Sequence, residues 1–269
     1  MSYKQSLAYW CLANTEWNWS AEQICQAAVA LGIQGLELPP PEVFPLLKKY
    51  NLESSLGANG MPGAPFVKGL NNVEYHEEII TRTKSAIDLA SEYGFPNVIA
   101  FTGYKWRDGG GDISRDECMA NCVKGLLELG AYAAAKNVTI CLEHLNSRVS
   151  SHPMKGHPGY QGDDVDFCAA IIREVNLPSV RLLFDFYHVQ VMHGDIITRL
   201  EANRDVIGHL HTAGCPGRNE LDNNQEINYA PIAKAVQEMG YSGYIGHEFI
   251  PTRDPLQGFK EAVNLFTPR

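Results

Sequence analysis

Short apolar runs alternate with helix-patterned stretches from one end of this chain to the other, and that alternation leaves few folds open. Strands are expected at 5–10, 35–38, 53–56, 97–101, 139–143, 180–185, 207–211 and 243–248. Helices are expected at 21–31, 41–50, 73–93, 115–136, 164–175, 195–204, 229–239 and 255–266. Each unit takes about 34 residues, the size of one unit of a (β/α)8 barrel. Ser20, with Gln23 three residues on, has the form of a capping box. Gly32, Gly94 and Gly240 each stand where a helix must end in a left-handed residue. An open doubly wound sheet would need a glycine-rich phosphate loop opening a helix after an early strand. Gly109-Gly110-Gly111 follows the fourth strand without that pattern. The expectation is an α/β fold, a single (β/α)8 TIM barrel, forming one domain over residues 1–269.

Four of the strands end in chemistry. Glu143, Asp185, His211 and Glu248 close strands five to eight, each after an apolar run. Strand ends of one polarity converge on one mouth of a barrel, so three carboxylates and an imidazole meet there as a divalent-metal site. Each residue also has an ordinary reading: a solvated glutamate, an aspartate capping the next helix, a core histidine. Their joint placement on four consecutive strands favours the metal. Hard oxygen ligands with one imidazole suit Mn²⁺, Mg²⁺ or Co²⁺, whereas a structural Zn²⁺ site prefers thiolates. A divalent ion bridging a hydroxyl and a neighbouring carbonyl acidifies the C–H between them, and flanking carboxylates can move that proton. The loops 57–72, 145–163 and 212–228 all follow strands and so belong to the same face. Lys68 and Lys155 in these loops, and Arg253 in the loop after the eighth strand, are candidate partners for an anionic substrate. Trp10, Glu37, Asn59 and Thr102 end or follow the first four strands. His209 shares a face with His211 but lies deeper, and His247 points away from the barrel interior.

The net charge of −9 argues against duplex nucleic acid as a partner, which calls for a basic face. No apolar run is long enough to span a bilayer, and residues 1–10 show no secretory leader. The seven cysteines contain no CxxC pair and read as buried reduced thiols, from which a cytoplasmic setting is inferred.

The segments Leu142-Glu143, Phe184-Asp185-Phe186-Tyr187-His188, His209-Leu210-His211-Thr212-Ala213-Gly214 and Gly246-His247-Glu248 resemble the xylose isomerase-like TIM barrels. Pro216-Gly217-Arg218 with Glu226-Ile227-Asn228-Tyr229 is most similar to the hydroxypyruvate isomerase family within them. The resemblance covers nearly the whole chain and is strongest from 142 to 255. It implies Glu143, Asp185, His211 and Glu248 as metal ligands, with Glu143 and Glu248 also as the acid/base pair. It further implies that His188 binds a substrate oxygen and that Arg218 holds a hydroxyl, carbonyl or carboxylate. The implied activity is isomerisation of a small hydroxy-carbonyl compound, hydroxypyruvate and tartronate semialdehyde first. Other members of the superfamily are ketose 3-epimerases of the tagatose/psicose type, an inosose dehydratase and a nuclease branch. The nuclease branch needs more metal ligands and a basic groove than are found here. The expected partner is a small sugar or hydroxy-keto acid. Association into a homo-oligomer through loops or outer helices is expected by fold analogy only.

Overall fold

The computed structural model describes residues 3–267; the first and last two residues of the expected domain lie outside the described residues. Eight parallel strands run β1 (Lys4–Ala8), β2 (Gly35–Glu37), β3 (Glu53–Leu56), β4 (Asn97–Phe101), β5 (Thr139–Glu143), β6 (Val180–Asp185), β7 (Ile207–Thr212) and β8 (Tyr244–His247). They are ordered β3-β2-β1-β8-β7-β6-β5-β4. Gly57 closes the circle against β4: its N–H donates to the Asn97 carbonyl at 2.8 Å, and the Ile99 N–H donates to its carbonyl at 2.9 Å. The closed parallel ring is a TIM barrel and excludes the open sheet.

Alternation along each strand sorts the side chains into two cores. Leu36, Val98, Ala100, Ile140, Leu142, Leu182, Phe184 and Leu210 face outward into the large core under the helices. Leu56, Ile99, Phe101, Cys141 and Leu183 form a smaller cluster inside the barrel. Glu143, Asp185 and His211 fall on the inward rows with Phe101, Cys141 and Leu183, at the carboxyl ends.

The helices are α1 (Trp10–Ala13), α2 (Ala21–Ala30), α3 (Phe44–Lys49), α4 (His76–Tyr93), α5 (Arg115–Ala134), α6 (Val165–Val175), α7 (Phe186–Met192), α8 (Ile196–Ala202), α9 (Tyr229–Glu238) and α10 (Pro255–Phe266). The capping box at α2 forms as expected. Gln23 N–H donates to Ser20 Oγ, and Gln23 Oε1 accepts from the Ser20 N–H at 2.9 Å. Gly32, Gly94 and Gly240 take φ of 70°, 73° and 72°, the left-handed endings their positions require.

Several boundaries shift by a residue or two, among them those of β2, β7, β8, α5 and α8, and three differences have a clear physical cause. The chain leaves β1 two residues early, because Tyr9 is already helical and Trp10 begins α1. The helix expected over 41–50 is a 3-10 turn, Pro41–Val43, followed by α3. Pro45 has no N–H to continue a ladder through that point, so the helix restarts there. α7 follows β6 with no loop, where none was expected. All seven cysteines are free and buried. Among the described residues no helix is long and apolar enough to cross a membrane.

Candidate active site

Glu143 and Asp185 are the last residues of β5 and β6, His211 lies one residue from the end of β7, and Glu248 directly follows β8. Their donor atoms all lie within 4.8 Å of one another, and all four residues are buried. His211 Nδ1 sits at the centre, 3.0 Å from Glu248 Oε2, 3.3 Å from Glu143 Oε1 and 3.8 Å from Asp185 Oδ2. Asp185 has both the roles its position allowed. Its Oδ1 caps α7, accepting from the N–H groups of Tyr187 at 2.8 Å and His188 at 3.2 Å, while Oδ2 turns to the cluster. Capping thus locks the rotamer that aims the other oxygen.

Glu143 Oε1 and His211 Nδ1 are buried without a hydrogen-bond partner. Orphaned polar atoms in a dry site are costly unless something fills the gap between them. Three carboxylates and an imidazole around that gap fit a divalent cation with hard-donor preference.

Arg218 supplies positive charge to the cluster. It reaches inward from the loop after β7 with φ of 54°, in a left-handed conformation uncommon for a bulky residue. Its Nη2 lies 2.9 Å from Asp185 Oδ2 and also contacts Glu248 Oε2. Its ring of partners makes it a buried ionic residue rather than an exposed loop cation, at 2% exposure. Trp10 Nε1 donates to Glu248 Oε1 at 2.7 Å.

The two glutamates are pushed apart electrostatically. Burial pushes Glu143 up to about 7, only partly offset by His211. Burial acts on Glu248 in the same direction, but the neighbouring His211 ring and the Arg218 guanidinium outweigh it and hold Glu248 at about 2. Two carboxyl groups of unequal proton affinity in one pocket are the usual arrangement for an acid and a base.

His188 sits beside the cluster. The Asn146 backbone N–H donates to its Nδ1 at 3.1 Å, which places the ring proton on Nε2. Burial and then Arg218 hold its pKa well below the usual histidine range, so the ring is neutral. Its Nε2 lies 2.8 Å from Arg218 Nη1.

A cavity of about 460 Å³ opens onto Glu143, His188, Arg218 and Glu248. Its walls are largely apolar: Trp10, Leu38, Phe66, Ile99, Phe101 and Met154. All three long loops contribute, through 63–66, through Leu145, Met154 and His157, and through Arg218. His157, with its ring centroid 4.2 Å from that of Phe66, and the loop-borne wall residues Phe66 and Met154 had no periodic signal in the sequence. Lys68 is not brought to this mouth. Its ammonium pairs with Glu78 at 3.8 Å and lies over the Tyr75 ring. Arg253 is likewise engaged elsewhere, by Asp222 and Glu261. Lys155 offers its backbone carbonyl to Asn146 and Tyr187. Asn59 accepts from the Met61 N–H within its own loop, whereas Thr102 Oγ1 accepts from the Gly162 N–H and ties the end of β4 to the 145–163 loop. His247 packs outside the barrel against Phe266, bonded to Thr212 and Gln5, as alternation requires.

The family model described as Xylose isomerase-like TIM barrel matches residues 25–269. A 2-oxo-tetronate isomerase of Cupriavidus necator is 34% identical over 52% of this chain and 51% of its own length, so the match spans about half of that relative. The hydroxypyruvate isomerase of Escherichia coli is 31% identical over 87% of this chain and 90% of its own. A solved structure titled as an AP endonuclease of family 2 from Brucella melitensis superposes with a TM-score of 0.80 at 24% identity, covering 96% of this chain and 97% of the other. At that identity the likeness concerns the fold alone.

Proposed function

The chain belongs to the xylose isomerase-like TIM barrel family, and from that premise we propose that it is a metal-dependent isomerase of a small hydroxy-carbonyl compound, with hydroxypyruvate and tartronate semialdehyde as the first pair. The observation that carries this reading is the convergence of Glu143 and Glu248 on one cavity with Asp185 and His211 between them. The relatives named hydroxypyruvate isomerase and 2-oxo-tetronate isomerase support the reaction class.

Glu143, Asp185, His211 and Glu248 would hold a divalent cation, Mn²⁺, Mg²⁺ or Co²⁺ by their donor chemistry. When bound, it would stabilise negative charge growing on two adjacent substrate oxygens as the C–H bond breaks. Glu248, in contact with the Arg218 guanidinium and the Trp10 indole N–H, accepts the carbon-bound proton. Glu143 is the partner that returns a proton to carbon from the β5 side of the cavity. For hydroxypyruvate the proton leaves C3 and arrives at C2, while a hydroxyl proton passes from the C3 oxygen to the C2 oxygen. His188 borders the cavity beside Arg218 and binds a substrate oxygen next to the reacting carbon. Arg218 borders the same position and holds substrate oxygen together with His188. The apolar walls and loop cover exclude bulk water from the intermediate.

A ketose 3-epimerase would use the same glutamates to remove and return a proton at a single carbon. The size of the cavity favours that second reading, because a three-carbon acid fills little of it. Mn²⁺-loaded protein incubated in D₂O with hydroxypyruvate and a panel of ketoses, followed by NMR, separates the two. Isomerisation places solvent deuterium at C2 of the new hydroxy-aldehyde. Epimerisation places it at C3 of an inverted ketose. Neither product nor exchange with any substrate of the panel would overturn the assignment to this reaction class.

A further inference from the structure

Directly beneath the cluster lies a carboxylate with no place in the chemistry above. Glu37 ends β2, is fully buried and points into the barrel interior. Its Oε1 is saturated: Ser6 Oγ donates to it at 2.6 Å, His209 Nε2 lies at 2.6 Å and Ser55 Oγ at 3.4 Å. Its Oε2 lies 2.6 Å from one group of opposite character, His211 Nε2, an ion-pair contact whose angle falls short of a hydrogen bond. The barrel makes room for this carboxylate, since a Cβ at Gly246 would overlap both of its oxygens. Glu37, His209 and His211 also form a compact donor group that invites reading as a second metal site. The spacing argues otherwise: nitrogen and oxygen 2.6 Å apart leave no room for an ion between them, since donors around an ion at 2.0–2.2 Å stand ~3 Å or more from each other.

We propose that Glu37 is a positioning residue for the metal centre: it holds the proton of His211 on Nε2 and so turns the Nδ1 lone pair toward Glu143, Asp185 and Glu248. This rests on the reading of those four residues as metal ligands. An imidazole has one lone pair, and the partner of one nitrogen decides where it points. A histidine ligand held through its other nitrogen by a carboxylate is both oriented and made more basic. His211 sits with Nε2 on Glu37 and Nδ1 among the other three ligands, which is that geometry. Ser6, Ser55 and His209 hold Glu37 in turn, so the orientation is transmitted from β1, β3 and β7 together.

The test titrates Mn²⁺ calorimetrically into EDTA-stripped wild type, Glu37→Gln, Glu37→Asp and His209→Gln. ¹⁵N-histidine NMR on the same proteins identifies the protonated ring nitrogen of His211. Glu37→Gln should weaken Mn²⁺ binding by about 10- to 100-fold, the range for loss of a supporting carboxylate, and disturb the Nε2–H tautomer of His211. Glu37→Asp keeps the charge and should recover part of the affinity, and it serves if the glutamine variant does not fold. His209→Gln removes one of the groups that hold Glu37 without touching the cluster and should weaken Mn²⁺ binding clearly less than Glu37→Gln does. Wild-type affinity and an unchanged His211 tautomer in Glu37→Gln would overturn the proposal while leaving the metal centre intact. Equal losses in Glu37→Gln, Glu37→Asp and His209→Gln, tracking lost stability, would reduce Glu37 to packing and overturn it as well. No Mn²⁺ binding by the wild type would remove the metal centre, and the role of Glu37 with it.

Discussion

Replacing Arg218 with methionine removes positive charge from a pocket that holds three buried carboxyl groups. Its guanidinium contacts Asp185 and Glu248, and all three side chains are at most 6% exposed. Methionine fills much of the space but compensates neither acid. Breaking a buried pair in this way costs about 3–5 kcal/mol, because the surviving charge stays desolvated. For a chain of this length one kcal/mol moves the melting temperature by roughly 2–4 °C, so R218M should melt about 6–20 °C below wild type in EDTA. A divalent cation would neutralise the same oxygens. Saturation at 100 times Kd adds about 2.7 kcal/mol to either protein. The variant, freed of the competing guanidinium, should bind more tightly and recover more. The assay is thermal unfolding followed by circular dichroism, with and without Mn²⁺, at pH 7.5. Equal stability of the two proteins in EDTA would refute the buried-pair argument. Equal Mn²⁺ stabilisation of both would refute the claim that Arg218 and the cation share ligands.

Other consequences follow from particular contacts. Asp185→Asn should keep α7 capped, since asparagine caps as well as aspartate, yet lose Mn²⁺ affinity in calorimetry; unchanged affinity would place the ion elsewhere. Trp10→Phe removes the donor 2.7 Å from Glu248 Oε1, a bond to a charged group of about 1.5–3 kcal/mol. Glu248 should then bind protons more readily, and the acid limb of the rate profile should move to higher pH; an unmoved limb would mean that the indole does not tune this carboxylate. His247 is buried with its pKa lowered from 6.5 to about 4, by desolvation. The unfolded chain takes up this proton below about pH 6.5 and the folded one only near 4, so stability declines as pH falls through that window. Between pH 7 and pH 4 the loss amounts to roughly 3 kcal/mol. Urea unfolding of His247→Gln should therefore show a shallower acid decline than wild type, and an identical slope would contradict it.

What was legible in the sequence follows from how local each determinant is. β3, β4, β5 and β6 were placed to the residue, because each apolar run is short and ends abruptly in a turn residue or an acid. β1 was overrun because Trp10 is apolar and extends the run, although the chain has already turned at Tyr9. α7 escapes the sequence reading because seven residues carry too little periodicity, even though Asp185 was an evident cap candidate. The cluster of four was legible because strand ends in a parallel barrel meet at one mouth. The pocket walls were not. Phe66, Met154 and His157 come from loops whose paths are set by packing against other loops. The inward turn of Arg218 depends on a backbone conformation that few arginines adopt. Lys68 stood on a mouth loop in sequence, but Glu78 and Tyr75 claim its ammonium.

The central claim is proton transfer at carbon between Glu143 and Glu248, and solvent isotope exchange tests it most directly. Hydroxypyruvate and candidate ketoses are incubated with Mn²⁺-loaded wild type, Glu143→Gln and Glu248→Gln in D₂O, and carbon-bound deuterium is followed by NMR. An amide keeps the shape of the carboxyl group but cannot accept a proton from carbon. The account predicts deuterium at the reacting carbon with wild type and its loss in both variants, each still folded by circular dichroism. Exchange at the wild-type rate in either variant would contradict it.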